Sequence, residues 1–409
     1  MLSFLDSRIQ TMFIAPRFEY FLSHKKNPVS KDSRIWSAPL PLNRHQLGKI
    51  LQPDTGTFLS HGDYFNAVRN FLEKDRFEIV TRAISQRLHR NIKPQEIEEI
   101  RICLEKHGEF YHPARIETTL KGITIRFVLN VAVSEAGNSC VQREYRLLKQ
   151  LNIDFPFSFL PEVYSQGCVF TKVGKVKIRM FLGEWFEGFN EFHISFDPSD
   201  KKYKIVVWDR EHGNYFLTTG QTMELYRKAA RILTCYYNVE TFEQILSWHH
   251  GAGDFILKCQ NHKIDVKLII VRQYRPVFEN NGINKDPDAE LILEALLVFF
   301  LNLTIKMRLD RLDGIGEIVW SDDIAVQGTL KGFFDGLDLK PQVSQFTEPF
   351  ADCFRTHLLS CTYTDLLDLN RSIAKTYHPK APETPVINQH LDQHVDDLYN
   401  AIRQYKKYP

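Results

Sequence analysis

The stretch Ser247-Trp248-His249-His250-Gly251-Ala252-Gly253-Asp254-Phe255-Ile256-Leu257 sets two imidazoles, two glycines and a carboxylate ahead of a short apolar run. An imidazole titrates at ~6.5 without help from its surroundings, so His249 or His250 is chemically able to move a proton near neutral pH. Imidazole and carboxylate are also donors for zinc, manganese or iron, which makes His249, His250 and Asp254 a candidate metal set. Adjacent side chains of an extended segment point apart, however, and the two histidines do not easily meet one ion. A third reading involves no chemistry: Trp248 and one histidine pack in a core while Gly251 and Gly253 permit a tight bend. A second polar cluster runs from Arg308 to Glu317 and lacks the alternating oxygen donors of a calcium loop. It reads either as a salt-bridged helix end or as a source of Arg308, Asp310 or Asp313 for the same cleft as His249 and Asp254.

The elements that must position these residues follow from periodicity. Residues 1 to about 60 carry Pro16, Pro28, Pro39, Pro41 and Pro53, a density that interrupts helices and central strands, and predict an irregular arm. From Asp63 to His89 apolar residues recur at three- and four-residue intervals, predicting amphipathic helices, and Pro94 opens a short acidic helix to Glu99. The pattern then changes to alternation at 101–106 and 114–120, a hairpin, followed by a β-branched run at 123–133 that suits a third strand. Asn138-Ser139 caps a helix carrying Val141, Glu144, Tyr145, Leu148 and Leu151. Strands are expected at 162–172 and 177–182, and a hairpin insertion at 203–208 and 215–217. Further on come helices at 222–237 and 240–246, a hairpin from 255 to 271, a buried helix at 291–309, and helices at 346–359, 364–377 and 386–405.

The order strand, strand, strand, helix, strand, strand resembles the small lobe of the protein-kinase-like fold, in particular its aminoglycoside-phosphotransferase-like branch, over roughly residues 100 to 340. The resemblance implies an α+β, two-lobed fold. Its parts are an arm and helical preface at 1–99, a small antiparallel-sheet lobe at 100–182, a mainly helical large lobe at 183–345, and a helical C-terminal addition at 346–409. In that family phosphoryl transfer uses a lysine on the third strand, a glutamate on the next helix, a catalytic-loop aspartate, and two metal-binding side chains. Glu144 takes the glutamate position, but Asn130 stands near the lysine and cannot neutralise phosphate charge. Asp254 takes the metal-binding asparagine position, and His249, five residues earlier, takes that of the catalytic aspartate. The remaining metal position falls in Val271-Arg272-Gln273-Tyr274-Arg275, where two arginines suit an anion and not magnesium. The hairpin turn 107–113 has a single glycine with which to cradle phosphate. The expectation is therefore an inactive or repurposed kinase-like protein that binds a nucleotide, with magnesium as a possible companion, or another phosphorylated or acidic ligand in a cleft between lobes. His249 and Asp254 are its catalytic candidates, and Glu144, Asn130, His250, Arg272 and Arg275 its binding candidates. Two alternatives stay open: a metal-dependent hydrolase or transferase built on His249, His250 and Asp254, and a non-catalytic interaction scaffold.

Bulk composition narrows the partners. Lys and Arg number 52 against 50 Asp and Glu, a net charge of +2, without the surplus of an electrostatic nucleic-acid binder, so no nucleic acid is expected. Seven scattered cysteines contain no C-x-x-C pair, which argues for reduced thiols and a cytoplasmic protein. The N-terminus lacks a basic stretch followed by an apolar run, and the most apolar segment, 291–305, is interrupted by Glu294 and Asn302, so no membrane association is expected.

Overall fold

The computed structural model describes residues 15–23, 25–41, 59–108, 110–171, 175–249, 253–261, 263–277 and 287–405. The chain divides into two compact units, one of residues 1–149 with 162–185 and the other of residues 150–161 with 186–409. The architecture is α+β, with a sheet in the first unit and most of the helices in the second.

The first unit is built on a six-stranded sheet in the order β1 (Arg17–Leu22), β2 (Glu99–Leu104), β3 (His112–Leu120), β4 (Ile123–Ala132), β6 (Lys177–Glu184), β5 (Val163–Phe170). Strict alternation along β3 buries Ala114, Ile116, Thr118 and Leu120 and turns Arg115, Glu117 and Thr119 outward, as a sheet with one covered face requires. The cover is α1 (His61–Leu88), whose Tyr64, Phe65, Val68, Phe71 and Leu72 join Ile100, Ile102, Ile116, Phe127 and Leu129 in one core. Ser60 and Asp63 start α1 with reciprocal side-chain to backbone bonds, and Lys74–Phe77 break it with non-helical backbone, so the expected run of helices is a kinked pair.

Two expectations need correction in this unit. The arm is not wholly irregular: β1 pairs in parallel with β2 and buries Tyr20 and Leu22, just beyond Pro16, where the missing N–H falls outside the strand. The helix after β4 begins at Glu135, not at Asn138, because the Ser134 hydroxyl accepts from the Gly137 N–H at 3.1 Å. Asn138 instead ties this helix, α2 (Glu135–Asp154), to β6. Its amide donates to the Lys177 carbonyl at 3.0 Å and accepts from the Arg179 N–H at 3.0 Å.

In the second unit β8 (Lys202–Val207) and β9 (Tyr215–Phe216) pair where the hairpin is expected, but β8 pairs along its whole length with a further strand, β7 (Phe192–Asp197), and the three-stranded sheet precedes α3 (Thr219–Cys235). The helix expected at 240–246 is absent. Asn238 accepts from the N–H groups of Glu240 and Thr241 at 2.9 and 3.1 Å, an Asx turn that takes the amides a helix would use. The chain then enters β10 (Gln244–Leu246), which pairs with β13 (Gln273–Arg275), while β11 (Phe255–Gln260) and β12 (Lys263–Leu268) form the hairpin between them. The buried helix is α4 (Ala289–Met307), capped by Asp288. After β14 (Leu309–Arg311) and β15 (Ile318–Trp320) come α5 (Ile324–Leu337), α6 (Phe350–Ser360), α7 (Tyr363–Ala374) and α8 (Glu383–Gln404). Among the described residues no helix is long and apolar enough to cross a membrane.

Candidate functional site

The loop from Ser247 to Asp254 leaves β10 and enters β11, so both of its ends are held by strands. Gly253 has φ of 77°, a conformation that glycine adopts without strain, and it immediately precedes Asp254, which is fully buried. Arg272, beyond the β11–β12 hairpin, meets that carboxylate with both ends of its fork: Nη1 to Oδ2 at 2.6 Å and Nη2 to Oδ1 at 2.7 Å. Nη1 also donates to the Ser247 carbonyl at 2.9 Å, and the His249 N–H donates to Asp254 Oδ2 at 2.9 Å. A planar guanidinium matches a carboxylate in this way, and a charge so deeply buried needs such pairing to be tolerated. The Ile269 N–H donates to the Asp254 carbonyl at 2.8 Å, joining the residue before β11 to the residue after β12.

Around this pair lie groups whose charge states are displaced. His249 Nε2 stands 3.9 Å from Glu383 Oε1 on α8; burial lowers the pKa of its imidazole, against the opposing pull of Asp254. Lys306, on α4, places Nζ 4.3 Å from the centre of the Trp248 ring. Burial pushes its pKa down to about 8, with Asp254 and Glu383 opposing. Asp310, at the start of β14, accepts from the N–H groups of Arg311 at 2.8 Å and Ile194 at 3.3 Å. Burial nonetheless raises its pKa to about 6. An amine and a carboxyl both displaced toward neutrality are what proton-transfer sites use, and buried ion networks also produce them.

The structure thus brings His249, Asp254 and Arg272 together. Both Asp254 oxygens are engaged by Arg272, and among the described residues no group of three His, Cys, Asp or Glu side chains is placed to hold a metal ion. His250 lies outside the described residues. Arg275 is exposed on β13 and donates to the Pro276 carbonyl at 3.3 Å. In the other unit Asn130 is buried on β4, in register with Phe181 and Pro113. There Glu144 is fully buried on α2, and its Oε2 accepts from the Tyr111 hydroxyl at 2.9 Å. Arg308 is committed to the Ser321 carbonyl at 2.9 Å and to Asp397 at 2.7 Å, and Asp313 to the Ser195 hydroxyl.

Sequence reasoning passed over Lys306 and Glu383. For Lys306 a signal existed, a lone cation in the apolar run Phe299-Phe300-Leu301-Asn302-Leu303-Thr304-Ile305-Lys306-Met307. Nothing in the sequence marked Glu383, which reaches His249 across 134 positions of chain.

No protein-family model matches the chain, and no curated protein sequence matches it. A solved structure described as "WaaP in complex with acyl carrier protein" aligns with 65% of this chain and 86% of its own, at 9% identity and a TM-score of 0.30.

Proposed function

We propose that this protein is a kinase-like scaffold that does not transfer phosphate and that holds a phosphorylated or otherwise acidic ligand, a nucleotide included, without a magnesium ion. One observation carries the reading: each of the two carboxylates that the family resemblance would assign to nucleotide chemistry already has an internal partner. Glu144 accepts from Tyr111, which arises from the very turn that would cover phosphate, and position 130 supplies an amide where a cation would be needed. Asp254 is paired end-on with Arg272, so the loop carries one balanced charge pair where magnesium would require uncompensated anionic oxygen. That guanidinium is already neutralised by Asp254, so an anionic ligand in this half of the chain would be met by cations such as Lys306 and the exposed Arg275. A metal-dependent hydrolase would require the fully buried Asp254 carboxylate to leave Arg272.

The test is a thermal-shift series with ATP, inorganic phosphate and citrate, each with magnesium or with EDTA, beside an assay for release or transfer of the γ-phosphate. The expected result is stabilisation by the anions that is the same with magnesium and with EDTA, and no phosphate transfer. Specific ligands stabilise by mass action, at ~2.7 kcal/mol when present at a hundred times Kd. Magnesium-dependent stabilisation by ATP, measurable transfer, or no stabilisation by any anion would sink the proposal.

A further inference from the structure

Glu383 reaches the Asp254 loop from the first turn of α8, and the rest of that helix is fastened elsewhere. Asp397 pairs with the buried Arg308 at 2.7 Å, and His394 Nε2 lies 3.2 Å from the Thr304 hydroxyl oxygen. Arg403 donates to the carbonyls of Leu359 and Cys361, both at 2.9 Å. Nothing comparable fixes the Glu383 carboxylate. Among the described residues it accepts no hydrogen bond, and its ion-pair contact with His249 is a loose 3.9 Å. The carboxylate can therefore turn away while α8 stays seated.

The groups around it are open to solvent in part. The side chains of Glu383 and His249 are 18% and 41% exposed, and Lys306 is partly exposed as well. Among the described residues the Lys306 amine has no hydrogen bond and no ion pair within 4 Å, only the face of Trp248. Glu383 is near enough to favour the charged forms of both Lys306 and His249. An acid in the first turn also suits the helix dipole, which by itself would account for the residue type. Its position has a second consequence, and charge decides it. Arg272 and Asp254 cancel in their bidentate pair, and burial keeps His249 uncharged at neutral pH, so Lys306 and Glu383 are left as the opposed charges of the cluster. An anion brought to Lys306 meets a carboxylate already there. Like charges repel strongly where water is partly excluded, and each further charge on the ligand adds to the repulsion.

We infer that Glu383 is an internal competitor for the acidic ligand of this site: its carboxylate holds the Lys306 and His249 side of the loop, and the ligand binds by displacing it. The inference rests on the anion reading above and adds to it the means by which the first turn of α8 regulates the site.

Titration calorimetry on the full chain compares acetate, with one charge, and sulfate, with two, beside phosphate, citrate and ATP with EDTA. Weakly acidic buffer keeps the Lys306 amine, which titrates at about 8, in its charged form. Sulfate is expected to bind Glu383→Gln about tenfold more tightly than the wild type, and acetate to gain less. Glu383→Asp, which keeps the charge, should stay within about threefold of the wild type. Lys306→Met placed in the Glu383→Gln background should abolish the gain. Melting of each variant without ligand shows that it is folded, and a role confined to the helix dipole would lower that melting temperature while leaving sulfate affinity alone. Equal sulfate binding by the wild type and Glu383→Gln overturns the inference and leaves the anion reading standing. A gain of the same size for acetate and sulfate, or one that survives Lys306→Met, overturns it too, because a charge competing at Lys306 is then not what was removed. If no protein in the series binds any of the anions, the anion reading falls and takes the inference with it.

Discussion

Asp310 is a carboxyl group with 1% of its surface exposed, two backbone N–H donors, and His193 and His249 near enough to favour its charged form. Burial outweighs them and raises the pKa from 3.8 to about 6. The sign of the linkage follows. Between those two values the folded chain keeps a proton that the unfolded chain has lost, so stability falls as pH rises, by ~1.4 kcal/mol per pH unit. The fall is complete above the folded value, after a total on the order of 3 kcal/mol. Asp310→Asn removes the titration and keeps an oxygen for one of the two amides, since Arg311 donates to Oδ1 and Ile194 to Oδ2; the lost bond is a pH-independent offset. Urea unfolding at a series of pH values from 4 to 8 should show the variant gaining on the wild type up to about pH 6 and running parallel above it. Parallel curves over the whole range would mean that the carboxyl titrates at its ordinary value in the folded protein.

At the scale of elements, α3 and α5 approach backbone to backbone, and glycine spacing makes it possible. Gly328, Gly332 and Gly336 repeat at four-residue intervals on α5, so they share one face. A methyl group at Gly332 would come within 1.8 Å of the Arg227 carbonyl oxygen, and one at Gly328 within 2.7 Å of that of Met223. These are backbone atoms of α3 that cannot swing aside, and the distance between packed helices depends on the side chains at the contact. Gly332→Ala should therefore destabilise by about 2–3 kcal/mol through overpacking, despite alanine's better helix propensity. Gly220→Ala, in the first turn of α3 with nothing within 4 Å of the added carbon, is the matched control and should be neutral or stabilising by a few tenths of a kcal/mol. Chemical denaturation of the two variants compares them directly, and equal effects would remove the packing argument. The same glycines explain why α5 was not foreseen: local preference argues against a helix at 324–337, and only the partner helix makes the choice rational. At 240–246 the error ran the other way, because the apolar spacing suited a helix while the Asn238 side chain claimed the amides.

For the whole molecule, what could be read in advance was whatever each short segment encodes alone. The order strand, strand, strand, helix, strand, strand is present as β2, β3, β4, α2, β5 and β6, since alternation and helical periodicity are local and directly reflect which face is covered. Pairings across the chain were not legible. Asp254 and Arg272 were each singled out, but their bond depends on a hairpin that folds the chain back over 18 positions, and Tyr111 on Glu144 depends on how a turn lies against a helix. The seven scattered cysteines are expected to be reduced, and among the described residues none is joined in a disulfide. Their environments rank their reactivity, because the thiolate is the nucleophile and both burial and a raised pKa suppress it. Cys168 is exposed on the edge strand β5, Cys259 and Cys353 are partly covered, and Cys103, Cys140, Cys235 and Cys361 are buried. Burial pushes the Cys103 and Cys235 thiols up to about 11. Titration of the native protein with an aromatic disulfide should release one equivalent of thiolate first, from Cys168, and Cys168→Ser should remove that phase. Cys103 and Cys235 should react only as the fold opens, so that all seven thiols appear in denaturant without a reductant. Fewer than seven under those conditions would reveal a disulfide, and a fast phase that survives Cys168→Ser would show a buried thiol reaching solvent in the folded state.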